Sequence, residues 1–480
     1  MVIIQNDDFY ANVYTRSTNV TGSCTLVSVH FPNKTNYRFL VDCGIFQGKN
    51  EDLRLNDTIP FDAEKIDSVF ITHNHADHTG LLPLLLKQGF DKGHPIFTTY
   101  ATSKLIDIGL YDSYRINSSE VGGELYSLKD VEDTLGSIVG CVYKKILKPH
   151  KYVHTTFFSN GHLLGAGILY VCISYPGYED INLIFTGDYN NKNAFFNVER
   201  LPEKIRKSKI AALFTESTYG NIDSTDKAFK PCLKDIIVDG VKNQNTIIFP
   251  VPSQGKYQEM LLYIKLLQKK GIIPTTMKVW GDGYAGQEYT KRYLYEDLGI
   301  KKLCTNFLPK NFQFVPRKEK KSYRESIISD PSPKFIISPG SMGHYGPIQK
   351  YISNYLSNEK ALLCYLGYCA KESNAHQLLE ANYNDQVIYS GMCYTKRCII
   401  KRSLEKSGHA KRDELLAFAN DLEQLQSILV THGEQDVRKE YASYLSFSLR
   451  NLDTQIGVMH PDYGYRITSS GVTKTFLTNF

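Results

Sequence analysis

The chain has no Cys-x-x-Cys pair, and its ten cysteines are scattered singly, several of them, such as Cys172 and Cys364, inside apolar runs. That pattern excludes a zinc finger and a disulfide framework and suits reduced thiols in a core. No uninterrupted apolar stretch reaches the roughly 18 residues a membrane span needs. The start, Met1 to Asp8, lacks a basic region and a signal-type apolar core. No membrane association and a cytoplasmic, intracellular location are therefore expected. Charge of one sign is not in large excess either: 56 Lys and Arg against 50 Asp and Glu leave +6. This permits a polyanionic partner without arguing for one. Basic runs at residues 144–148 and 317–321 read as solvated surface, and most of the 33 tyrosines as ordinary core and surface residues.

What the chain does have is length, with 480 residues and 42% hydrophobic content, enough for two or three well-buried domains. It also has His73-Asn74-His75-Ala76-Asp77-His78, four metal-ligand side chains in six residues. The cluster follows the strand-like run Ile66 to Thr72 and precedes a helical pattern beginning at Thr79, which places it on a strand-to-helix loop. Imidazole and carboxylate donors favour zinc, manganese or iron over calcium, which takes oxygen alone. Other apolar, β-branched runs end in similar residues. Tyr37 to Val41 leads to Asp42, Ile181 to Gly187 to Asp188, Ile210 to Thr215 to Glu216, and Ser427 to Thr431 to His432, while Ser159-Asn160-Gly161 introduces His162. If these strands share a sheet, their carboxyl ends converge on one rim. The reading is a metal site built from His73, His75, Asp77, His78, His162, Asp188 and His432. Asp42 then serves as a carboxylate that orients a ligand from behind.

In this respect the chain resembles the metallo-β-lactamase superfamily, whose His-x-His-x-Asp-His signature matches residues 73–78. Further matches at Phe185 to Asp188, Thr215 to Gly220, Ser407 to Ala410 and Thr431 to Glu434 make it similar to the β-CASP branch of nucleic-acid nucleases. Among these it looks most like RNA-processing members such as RNase J and the endonuclease subunit of the messenger-RNA 3′-end cleavage factor. His432 favours RNA over DNA as substrate. The fold implied is an αββα sandwich with an inserted, doubly wound α/β domain. The resemblance implies two metals, zinc first with manganese as an alternative. One would be held by His73, His75 and His162, the other by Asp77, His78 and His432, with Asp188 bridging. Two such cations activate a shared water and neutralise charge on a phosphodiester, and Asp77 belongs to this catalytic set. The resemblance also implies that His409 donates the leaving-group proton and that Glu216 holds its imidazole charged and oriented. Read from its neighbours alone, His409 is equally an exposed residue at the start of a capped helix.

From Gly220 to about Cys398 strand and helix alternate regularly, as in Thr246 to Val251 followed by Gly255 to Lys270, and Lys334 to Ile337 followed by Pro347 to Leu356. This predicts a parallel sheet. The expected organisation is a first metallo-β-lactamase segment at 1–220, the insert at 221–398, and a return segment with the C-terminal tail at 399–480. A cleft between the two domains, with the metals at its floor, suits single-stranded RNA. Within the insert, Gly281-Asp282-Gly283-Tyr284-Ala285-Gly286 satisfies a dinucleotide-binding pattern but lacks the acidic residue about 20 positions on, and reads as a tight turn. The loops at Ser253 to Lys256 and Ser338 to Gly343 each join a strand to a helix. Ser253, Lys256, Ser338, Gly340 and Ser341 are candidate RNA-backbone contacts, a role the resemblance also implies. The remaining histidines, among them His30, His150 and His344, match no motif. Little chain follows the helix expected to end near Leu449, so a minimal form is expected, as a homodimer or as part of an RNA-processing complex. The rival readings are a non-catalytic RNA-binding scaffold, another hydrolase of the superfamily, or a DNA nuclease.

Overall fold

The computed structural model describes residues 8–48, 53–120, 125–226, 232–450 and 453–476; the opening segment Met1 to Asp7 lies outside these. The chain divides into two compact units, one of residues 1–193, 197–224 and 409–480, the other of residues 194–196 and 225–408.

In the first unit, period-2 alternation decides the layering. In the strand Ser68–Ile71, Phe70 points into a core shared with Phe39, Phe157 and Leu183, whereas Val69 and Ile71 point the other way, onto Leu82, Leu85 and Ile106. In Ile181–Phe185, Leu183 and Phe185 enter the shared core while Ile184 packs with Leu415 and Leu445. Strands that are apolar on both faces must be covered on both faces. Two sheets therefore pack face to face, with the helices Leu82–Lys87, Ile106–Glu120 and Leu128–Gly136 outside one and Arg412–Asn420 and Gln435–Ser448 outside the other. The first sheet has eight strands, in the order Gly471–Phe476, Tyr463–Thr468, Tyr10–Thr15, Thr25–His30, Asn36–Val41, Ser68–Ile71, Ile96–Thr99, Ile138–Cys141. The second has seven, with Ala212–Thr215 lying parallel between Ile181–Phe185 and Ser427–Val430. Parallel pairing puts residues 186–188, 216 and 431–432 at the same carboxyl edge. Asn36–Val41 and Ser68–Ile71 pair in parallel in the first sheet and so deliver Asp42 and His73 together.

The second unit is a parallel six-stranded sheet, ordered Phe312–Phe314, Lys278–Gly281, Lys334–Pro339, Thr246–Val251, Ala361–Leu366, Ile399–Ser403. Helices cover both of its faces. Leu233–Lys242 and Lys256–Lys269 pack against the central strands Thr246–Val251 and Lys334–Pro339, and Ile348–Tyr355 and Asn374–Glu380 contribute to a separate core with Ile248 and Ile336. Its last strand, Ile399–Ser403, pairs with Ala361–Leu366. The return expected at residue 399 therefore lies inside this sheet, and the unit extends to Gly408. Alternation of strand and helix does not show this, because an edge strand half exposed to solvent carries Lys401 and Arg402 and reads as a loop.

The glycine-rich turn at 281–286 is structural. Gly283 has φ +93°, and a Cβ there would stand 2.5 Å from the Pro339 ring, so only glycine fits. Between these glycines Asp282, 2% exposed, accepts bonds from Arg324 at 2.6 and 2.9 Å, from the Tyr351 hydroxyl at 2.9 Å and from its own Gly283 N–H. Removing one partner of a buried ion pair leaves a charge without compensation, at about 3–5 kcal/mol. Arg324→Met should lower stability by about that much, and adding Asp282→Asn should recover part of the loss. Urea unfolding followed through Trp280, the sole tryptophan, reads the effect in the strand that leads into the turn.

Candidate metal centre

The six-residue cluster is shaped by its backbone before its side chains. His73 to His75 lie on the loop after Ser68–Ile71, whereas Asp77 and His78 lie in a short helix, Ala76–Thr79, so the helix begins three residues earlier than the pattern predicted. Main-chain bonds hold this stretch in place: Ser23 N–H to Asp77 O, Cys43 N–H to His78 O and Ile45 N–H to Ala76 O, at 2.8–3.0 Å. Gly44 faces it so closely that a Cβ would stand 1.6 Å from the Asp77 carbonyl oxygen.

The seven candidate ligands form two groups that share Asp188: His73, His75, His162 and Asp188, and Asp77, His78, Asp188 and His432. In the first, Asp188 Oδ2 is 3.5 Å from His73 Nε2 and 3.6 Å from His162 Nε2, and His162 Nε2 is 3.1 Å from His75 Nδ1. In the second, Asp188 Oδ1 is 3.3 Å from His78 Nε2 and 3.2 Å from His432 Nε2, those two nitrogens are 3.4 Å apart, and Asp77 Oδ2 is 3.8 and 3.9 Å from them. Donors about 2.0–2.2 Å from a tetrahedral ion sit about 3.3–3.6 Å from one another. The spacing thus fits a cation in each group.

Hydrogen bonding supports the same reading. His73 Nε2 and Asp188 Oδ1 are buried without a hydrogen-bond partner, a cost that proteins avoid unless something else occupies the site. The opposite ring nitrogens are engaged: His78 Nδ1 donates to Asp42 Oδ2 at 2.7 Å, His73 Nδ1 lies 3.1 Å from Thr72 Oγ1, and His432 Nδ1 lies 3.3 Å from Thr218 Oγ1. Each such bond turns an Nε2 lone pair toward the centre. Burial, reinforced by the neighbouring histidine charges, pushes His73 well below the ordinary imidazole value, which favours the neutral ring a metal requires.

Asp42, 2% exposed, belongs to neither donor group. It takes the Thr72 N–H at 2.8 Å, the Thr72 hydroxyl at 2.9 and 3.1 Å, and His78. Asp42 and His432 both have positive φ, 63° and 45°, and strained non-glycine backbone of this kind collects at functional sites.

Beside the two groups, His409 Nδ1 lies 3.0 and 2.8 Å from the oxygens of Glu216, and its Nε2 is 3.9 Å from Asp188 Oδ2. Glu216 is fixed in turn by the N–H groups of Tyr189 and Thr218. Burial is the largest single influence on His409 and lowers its pKa, but the charge and hydrogen bond of Glu216, with Asp188 and Asp77, outweigh it and leave the imidazole above its usual value. His409 precedes its helix, which starts at Arg412, so its side chain answers to Glu216 rather than to a cap.

Several supporting residues were not anticipated. Thr72 sits next to the His73 cluster and Thr218 inside the Thr215 to Gly220 match, but neither is assigned a role there. Arg438, 4% exposed, donates to the carbonyls of Gly433 and Met459 and so braces the loop of His432; no local pattern marks it. In the second unit, Gly340 N–H bonds Val251 O and brings the loops after the two central strands side by side, with Ser253 and Ser341 on them and Lys256 opening the helix that follows the first. Lys256 is ion-paired with Glu259. Ser338 departs from expectation: it belongs to the strand Lys334–Pro339 and is fully buried, because the parallel sheet continues through it.

Three family models match in chain order: the metallo-beta-lactamase superfamily at 18–96, the Beta-Casp domain at 257–378 and the Zn-dependent metallo-hydrolase RNA specificity domain at 396–457. Among curated proteins, the chain is 26% identical over 85% of its length to the transcription termination factor FttA of Methanosarcina mazei, of which it spans 64%. It is 25% identical over 83% to an RNase J-like protein of Methanocaldococcus jannaschii and 28% identical over 83% to a probable RNase MJ4 of the same organism, spanning 87% and 88% of those chains.

Asp188→Ala should abolish stoichiometric metal, since both groups depend on it, whereas Asp77→Ala should lose metal from one group only. Asp42→Ala should weaken binding about 10–100-fold with the fold intact. Elemental analysis of chelator-free protein and competition with a chromophoric chelator measure all three.

Proposed function

Because the chain belongs to the metallo-β-lactamase superfamily and carries its β-CASP insert, we propose that it is a ribonuclease hydrolysing phosphodiester bonds of single-stranded RNA with two zinc ions, manganese being the alternative metal. The observation that carries this reading is the His409–Glu216 pair beside the seven converging donors: a proton source stands where a leaving oxygen would depart, 3.9 Å from the carboxylate common to both groups. A site that only bound RNA has no use for it.

Two cations held there would supply a nucleophilic water of lowered pKa and neutralise charge on the phosphodiester. The chain's own contribution is orientation and proton handling. Asp42, Thr72 and Thr218 fix the imidazole tautomers. Glu216 accepts from His409 Nδ1 and stabilises the imidazolium, so that Nε2 carries the proton toward the leaving ribose oxygen. With a side chain 18% exposed, His409 reaches substrate, while Glu216 at 1% stays dry and keeps its charge effective. The loops with Ser253, Lys256, Gly340 and Ser341 are proposed to hold the RNA backbone through main-chain N–H groups.

His409→Ala should lower kcat about 10²–10⁴-fold, the range for losing a general acid, without loss of metal. An RNA labelled at its 5′ end, compared with one labelled internally, distinguishes mononucleotide release by an exonuclease from the longer products of an endonuclease. Full activity in Asp77→Ala, or in metal-free protein, would refute the mechanism. RNA binding with no cleavage by metal-loaded wild type would leave the scaffold reading instead.

A further inference from the structure

The outer face of the first sheet is only partly covered. Toward the metal edge, Leu26, Leu40, Val69 and Ile71 lie beneath helices. At the opposite end the strands Tyr10–Thr15, Thr25–His30, Asn36–Val41 and Tyr463–Thr468 turn polar side chains outward. Register places Tyr10 opposite His30, Asn12 opposite both Ser28 and Arg466, and Ser28 opposite Arg38, so these side chains share one face. Tyr10, Asn12, His30, Arg38 and Arg466 are all partly exposed.

The face is ordered and cationic. The Tyr10 ring stacks on His30 with centroids 4.6 Å apart, and the Arg466 guanidinium lies 3.8 Å from the Tyr10 centroid. His30 Nε2 is 3.5 Å from Asn12 Nδ2 and 3.3 Å from Ser28 Oγ. Among the described residues no carboxylate lies within ion-pair distance of the Arg38 or Arg466 side chain; the nearby Asp67 is spent on the Arg38 main-chain N–H. The field is felt locally: His30 is lowered by burial first and then by both arginines. The Arg466 guanidinium, braced by an aromatic ring and with no carboxylate in ion-pair distance among the described residues, is a preorganised anion receptor, and its planar fork fits phosphate; Arg38, whose charge is felt only at longer range by Asp62, adds a second cation to the face.

We propose that this face is a second RNA contact, outside the catalytic centre, where Arg38 and Arg466 bind backbone phosphates of the strand that runs on from the metal site. It rests on the ribonuclease reading for the identity of the polyanion. The direction is favourable: Arg38 stands four residues before Asp42 on the same strand, roughly 13 Å away at about 3.3 Å per residue. The strand Tyr10–Thr15 leads to Thr18, whose carbonyl takes the N–H of Gly433 beside His432.

The test uses the full, metal-loaded chain with both arginines changed, Arg38→Gln/Arg466→Gln, and Arg38→Lys/Arg466→Lys as the charge-preserving control. For single-stranded RNA of about 30 nucleotides the glutamine pair should raise KM about tenfold, the loss expected for charge-assisted contacts, with kcat and metal content unchanged. The slope of log affinity against log salt should fall by about 1.4, two phosphates at about 0.7 each, and the lysine pair should keep that slope. A dinucleotide substrate, too short to reach the face, should be unaffected. Wild-type affinity and salt slope in the glutamine pair would overturn the proposal. So would lost binding confined to phosphatidylserine vesicles, which would mark the face as a membrane contact. If wild type binds RNA without cutting it and the glutamine pair binds more weakly, the face stands and the nuclease reading falls.

Discussion

Asp188 is a buried carboxylate that faces four imidazoles, its two oxygens divided between two sets of donors. A charge at 2% exposure is costly unless it is compensated, and one of its two oxygens, Oδ1, is buried with no hydrogen-bond partner. The requirement for compensation organises the rest. It explains why imidazole Nε2 atoms crowd within 3.2–3.6 Å of it, and why the far ring nitrogens are tied down by Asp42, Thr72 and Thr218. Cations in the two groups would satisfy all of these atoms together.

The sandwich supplies the rigidity this demands. Imidazoles packed this tightly repel one another when charged and drift apart when unsupported, so they are held on loops and a short helix that follow the ends of buried strands. Parallel pairing of Ile181–Phe185, Ala212–Thr215 and Ser427–Val430 aligns three chain segments far apart in sequence. The price is local backbone strain at Asp42 and His432, tolerated because the surrounding hydrogen bonds over-determine both positions.

Chemistry and recognition are then separable. The donors and the His409–Glu216 pair lie in the first unit, on strand ends and the loops that follow them. The second unit contributes a parallel sheet whose central loops are set side by side, and its glycine-rich turn, which has the look of a nucleotide site, is accounted for by the buried Asp282–Arg324 pair and the Pro339 ring. Polar residues outside these places, such as the stacked Arg466, Tyr10 and His30, belong to neither core and stay available for binding.

The ligand types were legible in the sequence because metal chemistry restricts the choice to His and Asp, and because apolar β-branched runs ending in such residues mark the rim of a sheet. Six residues, 73 to 78, carried most of that signal. Tertiary structure alone decided which oxygen of Asp188 serves which group, that Thr72 and Thr218 orient the rings, that Arg438 braces the His432 loop, and that Ser338 is buried inside its strand. It also placed Ile399–Ser403 in the second sheet. The physical reason is the same in each case: a run of side chains records local periodicity and donor type, whereas hydrogen-bond direction, burial and strand neighbours are set by residues that meet only when the chain has folded.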